Sequence, residues 1–228
     1  MNRLLRSTLV LAAAAFSFAA AKPSAGPVNW LGKVQALPSG AHRIGNPQAK
    51  VRLVEYISYT CPHCAAFEKE ASGELALGMI RSGKGSIEYR PYMRNIIDIA
   101  ATLLVGCGDE SKFALNHSIV LRSQDKWMAN YQDSQPKRWA AMPDFASRMR
   151  AVASDLRLYD QFEPRGNRRS DLERCLADEA QSKKFALENQ TAESIGAVNG
   201  TPSFLINDVP QDAHDWADLR PALLPLTR

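Results

Sequence analysis

The chain is poor in several residue types, and each scarcity closes off a class of function. Only four cysteines occur in 228 residues, at positions 61, 64, 107 and 175. A structural zinc site wants two closely spaced ligand pairs and only one exists, so no metal is expected. Of the four histidines, His42, His117 and His214 stand in no cluster with carboxylates or cysteines, and read as surface or packing residues. No basic tail or run is present and the net charge is only +4, which does not point to nucleic acid. Beyond the N-terminus no apolar run is long enough to span a membrane. Internal repeats and low-complexity segments are missing too, and no cofactor is expected.

What the N-terminus does contain is the plan of a signal peptide over residues 1–21. Arg3 and Arg6 form a basic start, an uncharged apolar run follows from Leu9 to Ala20, and Ala19-Ala20-Ala21 offers small residues for cleavage before Lys22. The run is short for a membrane anchor, the alternative reading. Cleavage would leave about 207 residues, enough for one sizeable domain, with a net charge lowered from +4 to +2 by the two lost arginines. The expected compartment is a bacterial-type periplasm, where disulfides persist.

Residues 22–40 are rich in Pro, Gly, Ala and Ser and read as a flexible leader, in which Trp30 and Leu31 could dock. Ala41–Ile44 suits a short edge strand. Val51–Ile57, β-branched and aromatic with apolar groups on both faces, predicts a central strand. Phe67, Ala71, Leu75 and Met79 then recur every four residues, a helix face, with Thr60 as the expected N-cap and Pro62 in the first turn. A second strand is expected over Ile87–Tyr92. From 95 to 199 the pattern is helical: an almost uncharged run at Ile96–Val105, an amphipathic face at Phe145, Met149, Val152 and Leu156, and a capping box at Ser170–Glu173. Strand character returns at Thr201–Asn207, with a hairpin through Asp208-Val209-Pro210 and a short terminal helix from Trp216.

Cys61-Pro62-His63-Cys64 therefore lies where a strand feeds a helix. The unpaired N–H groups and dipole of a helix start stabilise a thiolate, which lowers the thiol pKa to roughly 3.5–7.5. A low-pKa thiolate is also a good leaving group, so a disulfide containing it is readily attacked. His63 could donate to the Cys61 thiolate and, if protonated, add charge beside it. The plainer alternative is a structural disulfide between Cys61 and Cys64.

The segment Glu55-Tyr56-Ile57-Ser58-Tyr59-Thr60-Cys61-Pro62-His63-Cys64-Ala65-Ala66-Phe67-Glu68 resembles the active-site segment of the DsbA-like thiol-disulfide interchange proteins. The resemblance implies an α/β thioredoxin fold with a helical insertion: a first thioredoxin-like stretch over 41–94, the insertion over 95–199 and a second thioredoxin-like stretch over 200–228. It implies Cys61 as exposed nucleophile, Cys64 as buried partner, and a cis peptide at Thr201-Pro202 whose backbone would receive an extended substrate. Glu55 matches the family's buried acid, suited to exchange protons with Cys64; the alternative is a sheet-edge carboxylate paired with Lys50 or Lys69. Some relatives carry a second disulfide in the helical insertion, and a Cys107–Cys175 bond is expected by that resemblance, against two inert thiols.

The function so implied is disulfide introduction into reduced, unfolded exported proteins, followed by reoxidation through a DsbB-like membrane partner. Thr201 before the proline resembles isomerases and reductases as well as oxidases, so a reductase or isomerase remains the alternative, and a non-catalytic chaperone a further one. About 29 residues between the expected cleavage point and Val51 leave no room for a separate dimerisation domain, and a monomer is expected.

Overall fold

The structure is a computed structural model that describes residues 28–227. The expected signal peptide, 1–21, and the leader up to residue 27 lie outside the described residues.

A seven-residue run of β-branched and aromatic side chains, Val51–Ile57, forms β3, buried along almost its whole length. It lies inside a six-stranded sheet with β1 (Val34–Ala36), β2 (His42–Gly45), β4 (Gly85–Pro91), β5 (Ser203–Ile206) and β6 (Val209–Gln211), in the order β1-β2-β4-β3-β5-β6. The β3–β4 pair is parallel and every other pair antiparallel. Two expectations are corrected here. The strand near 41–44 is not an edge, because β1 pairs outside it; and the leader is ordered by Val28, with a 3₁₀ turn at Trp30–Gly32 before β1. The hairpin turns one residue earlier than expected: Asn207 and Asp208 take positive φ, as a two-residue loop joining right-twisted strands requires, and Val209-Pro210 already belongs to the edge strand β6.

Helix α1 (Pro62–Glu74) follows β3 and continues as a π-helical turn over Leu75–Ile80. The four-residue apolar face is buried at Phe67, Ala71, Leu75 and Met79. Between β4 and β5 come α2 (Ile96–Val105), α3 (Phe113–Arg122), α4 (Gln124–Met128), α5 (Gln135–Ala140), α6 (Phe145–Asp155), α7 (Arg169–Leu176) and α8 (Glu179–Ser194); α9 (Trp216–Leu223) ends the fold with Pro221 inside it. This is a thioredoxin-like α/β sheet interrupted by helices. Helix α7 starts at Arg169 with Arg168 at the cap, so Ser170 lies inside it and does not cap it as the sequence suggests.

Alternation along β3 separates the two faces of the sheet. Leu53 and Ile57 face the large core shared with Phe67, Phe204, Trp216 and the insertion. Val54 and Tyr56 face a smaller cluster covered by Ala192 near the end of α8 and Ala197 just beyond it. Cys107, just beyond α2, is bonded to Cys175 in α7 with their Cα atoms 5.8 Å apart. Replacing both by alanine releases a closed loop with a sequence separation of 68, and should lower stability by about 4 kcal/mol in the chain-entropy account. Urea unfolding with the Cys61–Cys64 pair held reduced measures this.

Candidate active site

Cys61 is the N-cap of α1, with Pro62 at the first helical position. Because no side chain caps this end and no acidic residue stands in its first turn, the helix's N–H groups are left to the sulfur. Thr60, the expected cap, is used otherwise: its hydroxyl meets Ser58 Oγ at 3.1 Å and accepts from Asn95 Nδ2 at 3.0 Å.

Both cysteines are free, and both are buried: Cys61 is 2% exposed and Cys64 wholly enclosed. The expectation of an exposed Cys61 is corrected to a residue reached through a groove. This cavity of about 830 Å³ is lined by Cys61, His63, Tyr92, Glu193, Gly200 and Thr201, among others. The Thr201-Pro202 peptide is cis, and the Thr201 carbonyl lies 3.0 Å from Cys61 Sγ, which donates to it as a thiol.

The Cys61 thiol is pulled from 9.0 down to about 5. The largest cause is a hydrogen bond from the Cys64 thiol, opposed by burial and reinforced by the Thr201 side chain and by the main-chain N–H groups of Cys64 and His63. His63 thus acts on the sulfur through its backbone. Its ring makes no hydrogen bond among the described residues, and the side chain is exposed beside the groove. Burial pushes the Cys64 thiol well above 9.0, and the Cys61 sulfur and the Glu55 carboxyl raise it further.

Glu55 sits on β3 between Tyr89 of β4 and Phe204 of β5 and is 1% exposed. It forms no ion pair among the described residues, which removes the alternative of a surface pair with Lys50 or Lys69. Burial, then repulsion from Glu68, holds its carboxyl well above the usual carboxylate range. Glu88, opposite Val54 on β4, is equally buried but meets Arg43 at 3.0 Å and Arg90 at 2.7 Å. The two glutamates differ in partners, not in burial.

Two residues escaped the sequence reading. Asp98, in the first turn of α2, is 1% exposed. It accepts from Ser58 Oγ, Thr60 N and Arg94 N, each at 2.9 Å. Gln124, at the start of α4, donates to the carbonyls of Tyr59 at 2.7 Å and Cys61 at 2.9 Å. Together they fasten the loop before Cys61 to the helical insertion. The one available signal was a carboxylate inside an otherwise apolar run at Ile96–Val105.

A family model described as thioredoxin matches residues 38–223. A solved structure named protein-disulfide isomerase, from Novosphingobium aromaticivorans, is 46% identical with a TM-score of 0.77, over 83% of this chain and 98% of that one. Wolbachia pipientis alpha-DsbA1 is 20% identical with a TM-score of 0.65, over 84% and 92%, a likeness of fold. Among curated proteins, one from Rickettsia bellii whose name includes protein-disulfide oxidoreductase is 26% identical over 181 residues, 79% of this chain and 62% of that one. A Rickettsia prowazekii protein with the same words in its name is 27% identical over 182 residues, 79% and 59%. The chain spans about six-tenths of the length of these curated relatives.

Thr201→Val deletes one hydrogen bond to the thiolate. The Cys61 pKa should rise from about 5 by on the order of one unit, read from thiolate absorbance against pH. An unchanged titration would assign the shift to α1 and Cys64 alone.

Proposed function

The chain belongs to the thioredoxin family in its DsbA-like form, and on that footing we propose that it is an exported, periplasmic protein thiol-disulfide oxidoreductase working as a monomer in the oxidising direction. The observation that carries this reading is the Cys61 thiol lowered to about 5 beside a Cys64 thiol held protonated. Stabilising the thiolate stabilises the reduced protein, and a protein more stable when reduced gives up its disulfide readily.

In this reading a thiolate of a reduced, unfolded exported protein attacks Cys61 Sγ of the oxidised pair. The Cys61–Cys64 bond breaks, a mixed disulfide forms, and Cys64 leaves as a thiolate. Its high pKa makes it take up a proton at once, and Glu55, buried and protonated, is the donor proposed. A second substrate thiolate then attacks the substrate sulfur of the mixed disulfide, and Cys61 leaves as the stabilised thiolate. Two substrate thiols have become a disulfide, and the protein pair has gained two electrons. Pro62 fixes the start of α1, Thr201 and Pro202 offer backbone to the extended substrate, and a DsbB-like membrane oxidase would restore the pair. The relative named protein-disulfide isomerase favours a second reading, net isomerisation by the same exchange steps.

Redox-dependent stability separates them. The folded Cys61 pKa is depressed, so its contribution is complete above the unfolded value of 9.0, shrinks as pH falls, and is gone below about 5. The reduced form should therefore resist denaturant better than the oxidised form at pH 7, with the gap narrowing as pH falls towards 5. Equal stability of the two forms at pH 7 would move the assignment to an isomerase. Disulfide formation in a reduced substrate should vanish in Cys61→Ser; full activity in that variant would leave a non-catalytic binding module.

Glu55→Gln tests the proton donor. Turnover at neutral pH should fall on the order of 10²-fold if Glu55 acts as general acid. Because the folded carboxyl pKa is raised, wild-type stability declines as pH rises above 4.5. The glutamine variant should flatten that decline in urea unfolding.

A further inference from the structure

Four residues, Ser58 to Cys61, turn the chain from β3 into α1, and the Cys61 N–H closes the turn on the Ser58 carbonyl at 3.1 Å. Outside both the sheet ladder and the helix, the other polar groups of the turn need partners from elsewhere. Two side chains of the helical insertion supply them. Asp98 of α2 takes the donors, accepting from Ser58 Oγ and Thr60 N at 2.9 Å. Gln124 of α4 serves the acceptors, its Nε2 donating to the carbonyls of Tyr59 at 2.7 Å and Cys61 at 2.9 Å.

The two anchors differ in what they grip. Asp98 holds residues ahead of the reacting one, whereas Gln124 holds the carbonyl of Cys61 itself, which also accepts from Ala65 N at 3.2 Å. A carboxamide nitrogen has two hydrogens, and both are used. Gln124 is 7% exposed, so water is a poor substitute for it. Its helix is short but secured: Trp127, almost fully buried, donates its indole N–H to the Val120 carbonyl of α3 at 2.8 Å. Burying a long polar side chain costs entropy and hydration, and here the return is a fixed turn at the reacting sulfur.

We propose that Gln124 is a positioning residue for disulfide exchange: by holding the carbonyls on either side of Thr60, it sets the direction of Cys61 Sγ and keeps it within reach of the Thr201 peptide and the first N–H groups of α1. Its loss takes a donor from two buried carbonyls, and the turn must shift to find others. The sulfur moves with the turn, and its anion loses part of its solvation. The reduced protein is then less favoured, and the disulfide is surrendered less readily. One side chain of the insertion thus tunes the chemistry of the thioredoxin-like part. The inference rests on the reading that Cys61 exchanges disulfides.

The test uses the full folded protein and Gln124→Met, which keeps the length of the side chain and removes both donors. The Cys61 pKa, read from thiolate absorbance, should rise from about 5 by on the order of one unit, the scale of one lost hydrogen bond. At pH 7 the ratio of oxidised to reduced protein in a glutathione buffer should rise about tenfold, because each pH unit of thiolate stabilisation is a factor of ten. Gln124→Asn, uncharged and one methylene shorter, should move both readouts in the same direction by about threefold or more, and it decides the matter if the methionine variant fails to fold. Leu172→Ala, which opens a void under α7 away from the turn, should lower stability in urea and leave both readouts at the wild-type value. A folded Gln124 variant with wild-type titration and glutathione equilibrium would overturn the proposal, whatever its stability. So would equal shifts in Leu172→Ala, which would make the effect one of general loosening. If the wild type fails to exchange disulfides with glutathione at all, the oxidoreductase reading itself fails; if it exchanges and the Gln124 variants match it, only the role of Gln124 does.

Discussion

A sulfur anion that is almost shielded from water must be solvated by the protein, and that requirement organises this molecule. Cys61 is 2% exposed, yet its thiol titrates at about 5. Donors have replaced water: the Cys64 thiol, the first N–H groups of α1 and the Thr201 side chain. Different regions of the fold hold these donors and the loop that carries the sulfur. The helix start supplies the N–H groups because no side chain caps it. The sheet positions Thr201, since β5 pairs with β3 and the cis Thr201-Pro202 peptide leads into it, with the Thr201 carbonyl accepting from the Cys61 thiol at 3.0 Å. The insertion secures the loop itself, through Asp98 on Ser58 and Thr60 and through Gln124 on the carbonyls of Tyr59 and Cys61.

The same sheet carries the second electrostatic device. Glu55 and Glu88 are buried on neighbouring strands, but on opposite faces, and their surroundings differ. Glu88 lies between two guanidinium groups, Arg43 at 3.0 Å and Arg90 at 2.7 Å. Glu55 has no counter-ion among the described residues and keeps its proton far above the usual carboxylate range. A one-residue slip of β3 would turn Glu55 to the face that carries Glu88, since a strand's side chains alternate between faces. The buried proton beside Cys64 thus follows from the pairing of β3 with β4 and β5, which ties the proposed chemistry to the topology.

Much of the fold was legible because its signals are local. The β-branched and aromatic run Val51–Ile57 with apolar groups on both faces, the four-residue spacing from Phe67 to Met79 and the nearly uncharged run Ile96–Val105 each report burial, and each forms its expected element. Boundaries were less legible where neighbours compete. Thr60 is a good cap in isolation, but Asn95 and Ser58 take its hydroxyl and leave the cap position to Cys61. Ser170 has cap chemistry, but the helix begins before it. Trp30–Ala36 looked like leader by composition and is ordered because β2 offers it an edge.

By itself the sequence determined the reaction type, since two cysteines separated by two residues at a strand-to-helix junction are a covalent and local fact. It determined the family resemblance and the order of strands and helices for the same reason. Tertiary structure alone decided what the thiols experience. Thr201 reaches Cys61 across a sequence separation of 140, Gln124 reaches the Cys61 carbonyl across 63, and Asp98 reaches Ser58 across 40. Glu55 is shut away from counter-ions only once β4 and β5 close around it. Solvent exclusion and hydrogen-bond partnership depend on what folds against a residue, and spacing along the chain carries no record of that.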